Sequence, residues 1–240
     1  METALIGLVV IIASTVGTLT GFGTSTIMVP IMALFFPLPQ TLLFVGIIHW
    51  FGDIWKLLLF RSGFKWKLVL AFGLPGIVFA FIGARLVFGI PNEILSRILG
   101  AFLIAYVAYL FFRSSFRVRP NMFTGAVGGA LSGFMAGIFG IGGAVRSMFL
   151  TAFNLPKEVY IATAGAIALV IDSTRLGTYL MEGARLEQTL LCGLLLFVPL
   201  SFVGAAIAKR IVDKIPQEHF RQFVAVFLLL TGLKLLIWPG

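Results

Sequence analysis

Apolar residues run along the chain in stretches of membrane-spanning length, with polar residues gathered between them. The stretches cover 4–36, 40–59, 66–88, 93–112, 123–153, 158–180, 187–208 and 219–238. A helix of about 20 apolar residues crosses the hydrocarbon core of a bilayer, so each stretch predicts membrane-embedded helix. No hydrophilic interval is long enough to fold as a soluble domain. Function is therefore expected inside the bilayer.

Two stretches are too long for one span. As single helices, 4–36 and 123–153 would reach about 45–50 Å at 1.5 Å per residue, beyond the ~30 Å core. Each is interrupted: the first by Gly21-Phe22-Gly23-Thr24-Ser25-Thr26, the second by Gly140-Ile141-Gly142-Gly143. The spacing predicts two short helices meeting at each break. The alternative is one tilted, kinked helix per stretch.

The breaks are also related to each other. Displaced by about 120 residues the chain matches itself, as expected of an internal repeat. Gly21-Phe-Gly23 falls on Gly140-Ile-Gly142, Leu38-Pro39 on Leu155-Pro156, and Asp53 with Lys56 on Asp172 with Arg175. Ile82-Gly83-Ala84 falls on Val203-Gly204-Ala205, and Ile90-Pro91 with Glu93 on Ile215-Pro216 with Glu218.

Composition agrees with the pattern: 60% of the 240 residues are hydrophobic, 11% are charged, and the mean hydropathy is +1.08. The net charge of +9 would point to nucleic acid in a soluble protein. Here the basic residues cluster in short loops beside helix ends, the positive-inside signature of a membrane protein. The clusters are Arg61, Lys65 and Lys67; Arg113, Arg117 and Arg119; and Lys209, Arg210 and Lys214.

All three clusters are assigned to the cytoplasm. Three simple crossings between the second and third would put Lys209 outside, unless 123–153 leaves and returns to one face. The same rule applied to the first break puts both termini, the Pro37–Pro39 turn and the Gly89–Asn92 turn on the outer face. The expected fold is an all-α polytopic membrane protein of two inverted-topology repeats, each a broken helix plus three spanning helices. Its parts are repeat 1–113, a cytoplasmic linker 114–122 and repeat 123–240, together one membrane domain. The opening METALIG has an acid and no base, which argues against a cleaved signal peptide. The expected location is the cell membrane.

Broken helices matter because unpaired backbone groups are tolerated in hydrocarbon only where protein or a water-filled cavity surrounds them. The N–H groups of Gly23, Thr24, Ser25 and Thr26, and of Gly142, Gly143 and Ala144, are read as free helix N-termini that favour an anion. The hydroxyls of Thr24, Ser25, Thr26 and Ser147 add donors, and Arg146 adds a fixed charge. Gly21, Gly23, Gly140, Gly142 and Gly143 let a ligand approach the backbone. A cavity is expected between Gly21–Thr26 and Gly140–Ser147. The competing reading is that the glycines serve helix packing and that Arg146 snorkels; Gly128, Gly129, Gly133 and Gly137 are read as packing residues.

His49, Asp53 and Lys56, at i, i+4 and i+7, share one helix face, and Asp172 and Arg175 stand at i and i+3. Intramembrane charges cost about 2.5–3.5 kcal/mol each on insertion scales and should face the interior. They read either as structural ion pairs or as proton-handling and gating residues. Trp50, Trp55, Trp66 and Trp238 are read as interfacial anchors, Arg85 as snorkelling, His219 as solvated and Cys192 as packing.

No catalytic, nucleotide-binding or zinc motif occurs, so neither an enzyme nor a cofactor is expected. The expected partners are a small anion, protons and lipid, with no nucleic acid.

These residues resemble a known family. Gly21-Phe-Gly-Thr-Ser-Thr-Ile-Met-Val-Pro30 and Gly140-Ile-Gly-Gly-Ala144, each followed by a leucine-proline turn, are similar to the duplicated glycine motifs of the TauE/SafE sulfite exporters, the TSUP transporters. The likeness spans essentially the whole chain. It implies a secondary transporter of sulfite, thiosulfate, sulfoacetate or other organosulfonates, coupled to protons. The motif carries over onto Gly21, Gly23 and Thr24, and onto Gly140, Gly142 and Gly143. The chain departs from the pattern where Phe149 replaces the proline found at Pro30 and where Arg146 stands opposite Ile27. Another small anion, such as a carboxylate, and a non-transporting accessory role are the alternatives.

Overall fold

Asn121 opens the second broken stretch with a side-chain cap. Its Oδ1 accepts a hydrogen bond from the Thr124 N–H at 2.8 Å, capping a helix that ends at Gly140 in the left-handed conformation, φ 70°. In a computed structural model that describes residues 2–112, 119–212 and 228–239, the same two-part pattern appears twice. The first half contains α1 (Glu2–Thr20), α2 (Ser25–Met32), α3 (Leu38–Leu59), α4 (Trp66–Gly89) and α5 (Asn92–Phe112). The second contains α6 (Met122–Phe139), α7 (Gly142–Leu150), a 3-10 turn (Thr151–Phe153), α8 (Lys157–Met181), α9 (Gln188–Ile211) and α10 (Leu228–Ile237). Among the described residues, six helices are long and apolar enough to cross a membrane. Arg113, Arg117, most of the linker, Lys214, the Ile215–Glu218 match, His219 and the start of the last apolar stretch lie outside the described residues.

Both over-long stretches divide at their glycines and turn back. Phe149, near the end of α7, packs against Gly128 near the start of α6, and a Cβ on Gly142 would lie 2.2 Å from the Ser132 carbonyl oxygen. In the first half the Gly23 N–H donates to the Gly17 carbonyl at 3.0 Å, and the Thr24 and Ser14 hydroxyls meet at 3.5 Å. Ten residues of continuous helix would hold those hydroxyls about 15 Å apart. The chain thus forms helical hairpins rather than kinked rods.

The halves are laced together. Helices α4 and α6 run side by side in the same direction, with Gly129 on Phe72, Gly133 on Gly76 and Gly137 on Ala80, backbone against backbone. This is the small-residue packing expected of those glycines, because apolar side chains gain little from one another in lipid. Helices α1 and α9 also run in parallel: Gly7 meets Leu200 and Phe197, and Thr15 Oγ1 donates to the Gly204 carbonyl at 3.1 Å. Helices α3 and α8 cross in opposite directions, with Gly46 near Leu176, His49 near Asp172 and Gly165 near Lys56.

Polar contacts at the helix ends define two faces. Ser62 and Lys209 both bond Glu158, bringing the loop with Arg61, Lys65 and Lys67 to the end of α9 with Lys209 and Arg210. On the opposite face the Leu38 N–H donates to Asn92 Oδ1 at 3.0 Å, and Arg85 pairs with Glu182 at 2.9 Å. Two tryptophans also join helices. Trp50 Nε1 donates to Ser173 Oγ at 2.8 Å and Trp55 Nε1 to Ser201 Oγ at 3.0 Å, so they pin α3 to α8 and α9. Trp66 and Trp238 are exposed at helix ends, as anchors would be.

A Cβ on Gly133 would stand 2.3 Å from the Gly76 carbonyl oxygen, which no side-chain rotation relieves. Gly133→Ala is expected to push α4 and α6 apart at a cost of about 1–3 kcal/mol, read as a lowered Tm in detergent. Gly177→Ala, with nothing within 4 Å of its Cβ position, should stay within about 0.5 kcal/mol of the parent protein.

Candidate functional site

The i, i+4, i+7 spacing brings His49, Asp53 and Lys56 onto the face of α3 that meets α8, and all three are at most 2% exposed. Lys56 Nζ lies 2.7 Å from Asp53 Oδ1, and on α8 Arg175 Nε lies 2.6 Å from Asp172 Oδ1. The antiparallel crossing then inserts His49 between the two carboxylates. Its Nε2 is 3.4 Å from Asp172 Oδ2 and 3.7 Å from Asp53 Oδ2. Each carboxylate directs one oxygen at the cation of its own helix and turns the other toward the imidazole, where neither finds a hydrogen-bond partner. Unpaired, such charges would be costly in the bilayer; paired, they offset one another's desolvation.

The facing atoms of His49, Asp53 and Asp172 lie within 4.8 Å of one another, close enough to share a bound cation. A divalent ion there would meet Lys56 and Arg175 already on the same carboxylates.

Both breaks are seated on this crossing. Gly23, at φ 86°, lies against the His49 ring, with its Cβ position 2.3 Å from Cε1. A Cβ on Gly140 would meet Leu42 and Val29 and lie 3.5 Å from Arg175 Nη1. The breaks also touch each other. Ser147 Oγ donates to the Gly21 carbonyl at 3.1 Å, and a Cβ on Gly143 would fall 1.7 Å from the Phe22 carbonyl oxygen.

This contact corrects part of the sequence reading. Where a cavity was expected between the two segments, backbone meets backbone at Phe22 and Gly143, a closeness only glycine permits. Gly142 likewise serves packing, against Ser132. Not every N–H expected to be free is free: that of Gly23 donates to Gly17, and that of Thr26 to Gly23 at 3.3 Å. The Thr26 hydroxyl donates back to the Phe22 carbonyl at 2.9 Å. Ser25 differs from its neighbours, since its buried hydroxyl has no hydrogen-bond partner.

Arg146 is the cation that remains over. It sits in the first turns of α7, 2% exposed, with Nε and Nη2 lacking any partner, and it enters no ion pair among the described residues. A snorkelling arginine would carry its head to the membrane surface; this one keeps it buried, close enough to interact electrostatically with Asp172 and Tyr160. With Lys56 and Arg175 balanced by Asp53 and Asp172, Arg146 leaves the buried centre with one uncompensated positive charge.

Tyr160 was not singled out from sequence. Its ring lies against Gly21 and its hydroxyl beside Ser147, yet within α8 it reads as one more apolar helix residue. Only its place one turn beyond the Leu155-Pro156 turn could have drawn attention to it.

A family model described as sulfite exporter TauE/SafE matches residues 6–235. No curated protein matches the chain. The match takes in both glycine breaks, the charged crossing and Arg146, and by it the chain belongs to the TauE/SafE family of sulfite exporters.

Proposed function

We propose that the chain is a secondary transporter of small sulfur-containing anions, sulfite, thiosulfate, sulfoacetate or another organosulfonate, working by proton-coupled alternating access. The observation that carries this reading is the buried, unpaired guanidinium of Arg146 at the start of a half-helix, where the helix dipole also favours negative charge. Ser25 Oγ and the terminal nitrogens of Arg175 are further donors without partners. The bound anion is held near Arg146, between Gly21, Gly23, Thr24, Ser25 and Thr26 on one side and Gly140, Gly142, Gly143 and Ser147 on the other. Admitting it requires the Phe22–Gly143 contact to part.

The two halves are read as inverted repeats. The antiparallel course of α3 and α8 supports this, as do the opposite courses of α1 and α6 that follow from their parallel partners α9 and α4. The face bearing Arg61, Lys65, Lys67, Lys209 and Arg210 is assigned to the cytoplasm, which puts the N-terminus outside the cell. His49 carries the coupled proton between Asp53 and Asp172, and Lys56 and Arg175 hold the two carboxylates in place around it.

The direct contact between the breaks favours a second reading, an accessory protein that carries nothing. Purified protein in liposomes under an imposed pH gradient separates the two, since only the transporter moves sulfite, thiosulfate or sulfonates.

Arg146→Gln breaks no ion pair among the described residues, so the variant is expected to fold. It should bind the transported anion about 10–100-fold more weakly by calorimetry, the worth of one hydrogen bond to a charged group. Unchanged affinity would remove the cradle. Gly23 is a poorer probe, because any side chain there strikes His49.

Asp172→Asn strands Arg175 without its carboxylate and should cost about 3–5 kcal/mol, seen as a lower Tm. Adding Arg175→Met should recover part of that loss. His49→Gln should keep anion binding but abolish the response of flux to the pH gradient; an undiminished response would exclude His49 as the carrier.

A further inference from the structure

A cleft of about 200 Å³ opens beside the first break. Its described lining includes Thr20 at the end of α1, Thr151 and Asn154 in the turn after α7, and Lys157 and Tyr160 at the start of α8. These residues offer hydroxyl, amide and ammonium groups to a ligand. The start of α8 lies on the face where Ser62 and Lys209 meet Glu158, so the cleft belongs to the basic side of the protein. Lys157 Nζ donates to the Val212 carbonyl at 3.3 Å, which holds the ammonium at the rim. A larger cavity of about 490 Å³ between α1 and α2 is lined by apolar side chains such as Leu5, Val9, Met32 and Phe36, and offers an anion nothing.

Tyr160 belongs to the cleft and to the buried site at once. It lines the cleft, its ring presses on Gly21 with Cε1 2.4 Å from the Cβ position, and its hydroxyl stands beside Ser147, within electrostatic range of Arg146. One side chain thus reaches from a polar cleft to the neighbourhood of the unpaired guanidinium. The second break has no such device: Gly140 is covered by the aliphatic Leu42 and Val29. The internal repeat is kept here in backbone while the side chains that cover its two breaks differ in chemistry.

We propose that this cleft is an access vestibule for small oxyanions and that Tyr160 is the partition between it and Arg146, an inference that rests on the anion-binding reading of Arg146. Lys157 concentrates anions at the mouth. The Thr20, Thr151 and Asn154 groups replace part of their hydration. Swinging the Tyr160 ring away from Gly21 exposes the guanidinium while the Leu42 side stays sealed.

Thiol labelling tests this in the full chain, reconstituted in oriented vesicles. Cys192→Ser removes the single native cysteine, and Ser147→Cys then places a thiol beside the partition. The probes are a sulfonate-bearing methanethiosulfonate and its trimethylammonium counterpart. From the basic face, Tyr160→Ala should raise the labelling rate by about tenfold or more over the parent, as removal of a gate does. Tyr160→Phe, which keeps the ring, should label like the parent. The anionic reagent should outpace the cationic one, and Lys157→Gln, which leaves the partition intact, should lower that preference by about threefold or more.

Equal rates with and without the Tyr160 ring, or equal access from the opposite face, would overturn the proposal, as would a charge preference indifferent to Lys157. Labelling needs no transported substrate, so this failure is distinct from that of the anion site, which unchanged affinity in Arg146→Gln would reveal.

Discussion

The crossing of α3 and α8 is the contact on which the remaining structure depends. Hydrocarbon offers charged groups no solvation, so Asp53, Lys56, Asp172 and Arg175 must find their partners in one another. Each ion pair lies within one helix, but His49 reaches the carboxylates of both helices at one register only. A slip of a single turn, about 5.4 Å, would carry His49 away from Asp172 and leave the facing carboxylate oxygens with nothing between them. Because the register is set by charge, the depth of each break is set too: Gly23 rests on the His49 ring and Gly140 beside Arg175. The backbone interruptions are thus held where protein, not lipid, surrounds them.

Around this centre, the strongest packing does not follow the sequence repeat. Helix α1 lies with α9 of the other half, and α6 with α4. Motion in which one half rocks rigidly against the other would tear apart backbone contacts such as Gly133 on Gly76. In the proposed cycle the units that move as bodies are the cross-half pairs, sliding about the α3–α8 crossing. The contact that the proposed cycle would open, between Phe22 and Gly143, joins one hairpin to the other backbone to backbone.

Much of this was legible in the sequence, for reasons that can be named. The breaks showed because stretches over 30 residues long exceed the membrane and carry glycines at their centres. The glycines of α6 showed their role by recurring every four residues, and the face shared by His49, Asp53 and Lys56 followed from helical period alone. What was not legible depends on pairs far apart in the chain. Ser147 bonds Gly21 across 126 positions, and nothing local to either residue announces it. Which N–H groups stay free was misjudged because the Gly17 carbonyl turns back to take the one at Gly23. Trp50 and Trp55 were read from their residue type, and only the positions of Ser173 and Ser201 reveal what they hold. Arg146 was visible as a charge in an apolar segment; that it lacks a partner among the described residues is a property of the fold.

The cross-half pairing also bears on how the protein is made. Helices α1 and α4 leave the ribosome well before α6 and α9 exist, so the small-residue faces that will receive those helices first meet lipid. The glycine notch of α4 at Gly76 and Gly83 stays open until α6 is inserted alongside it, and α1 waits longer still for α9. Nascent protein therefore passes through a stage in which its first five helices are threaded but unclasped, and the later helices complete the assembly as they arrive.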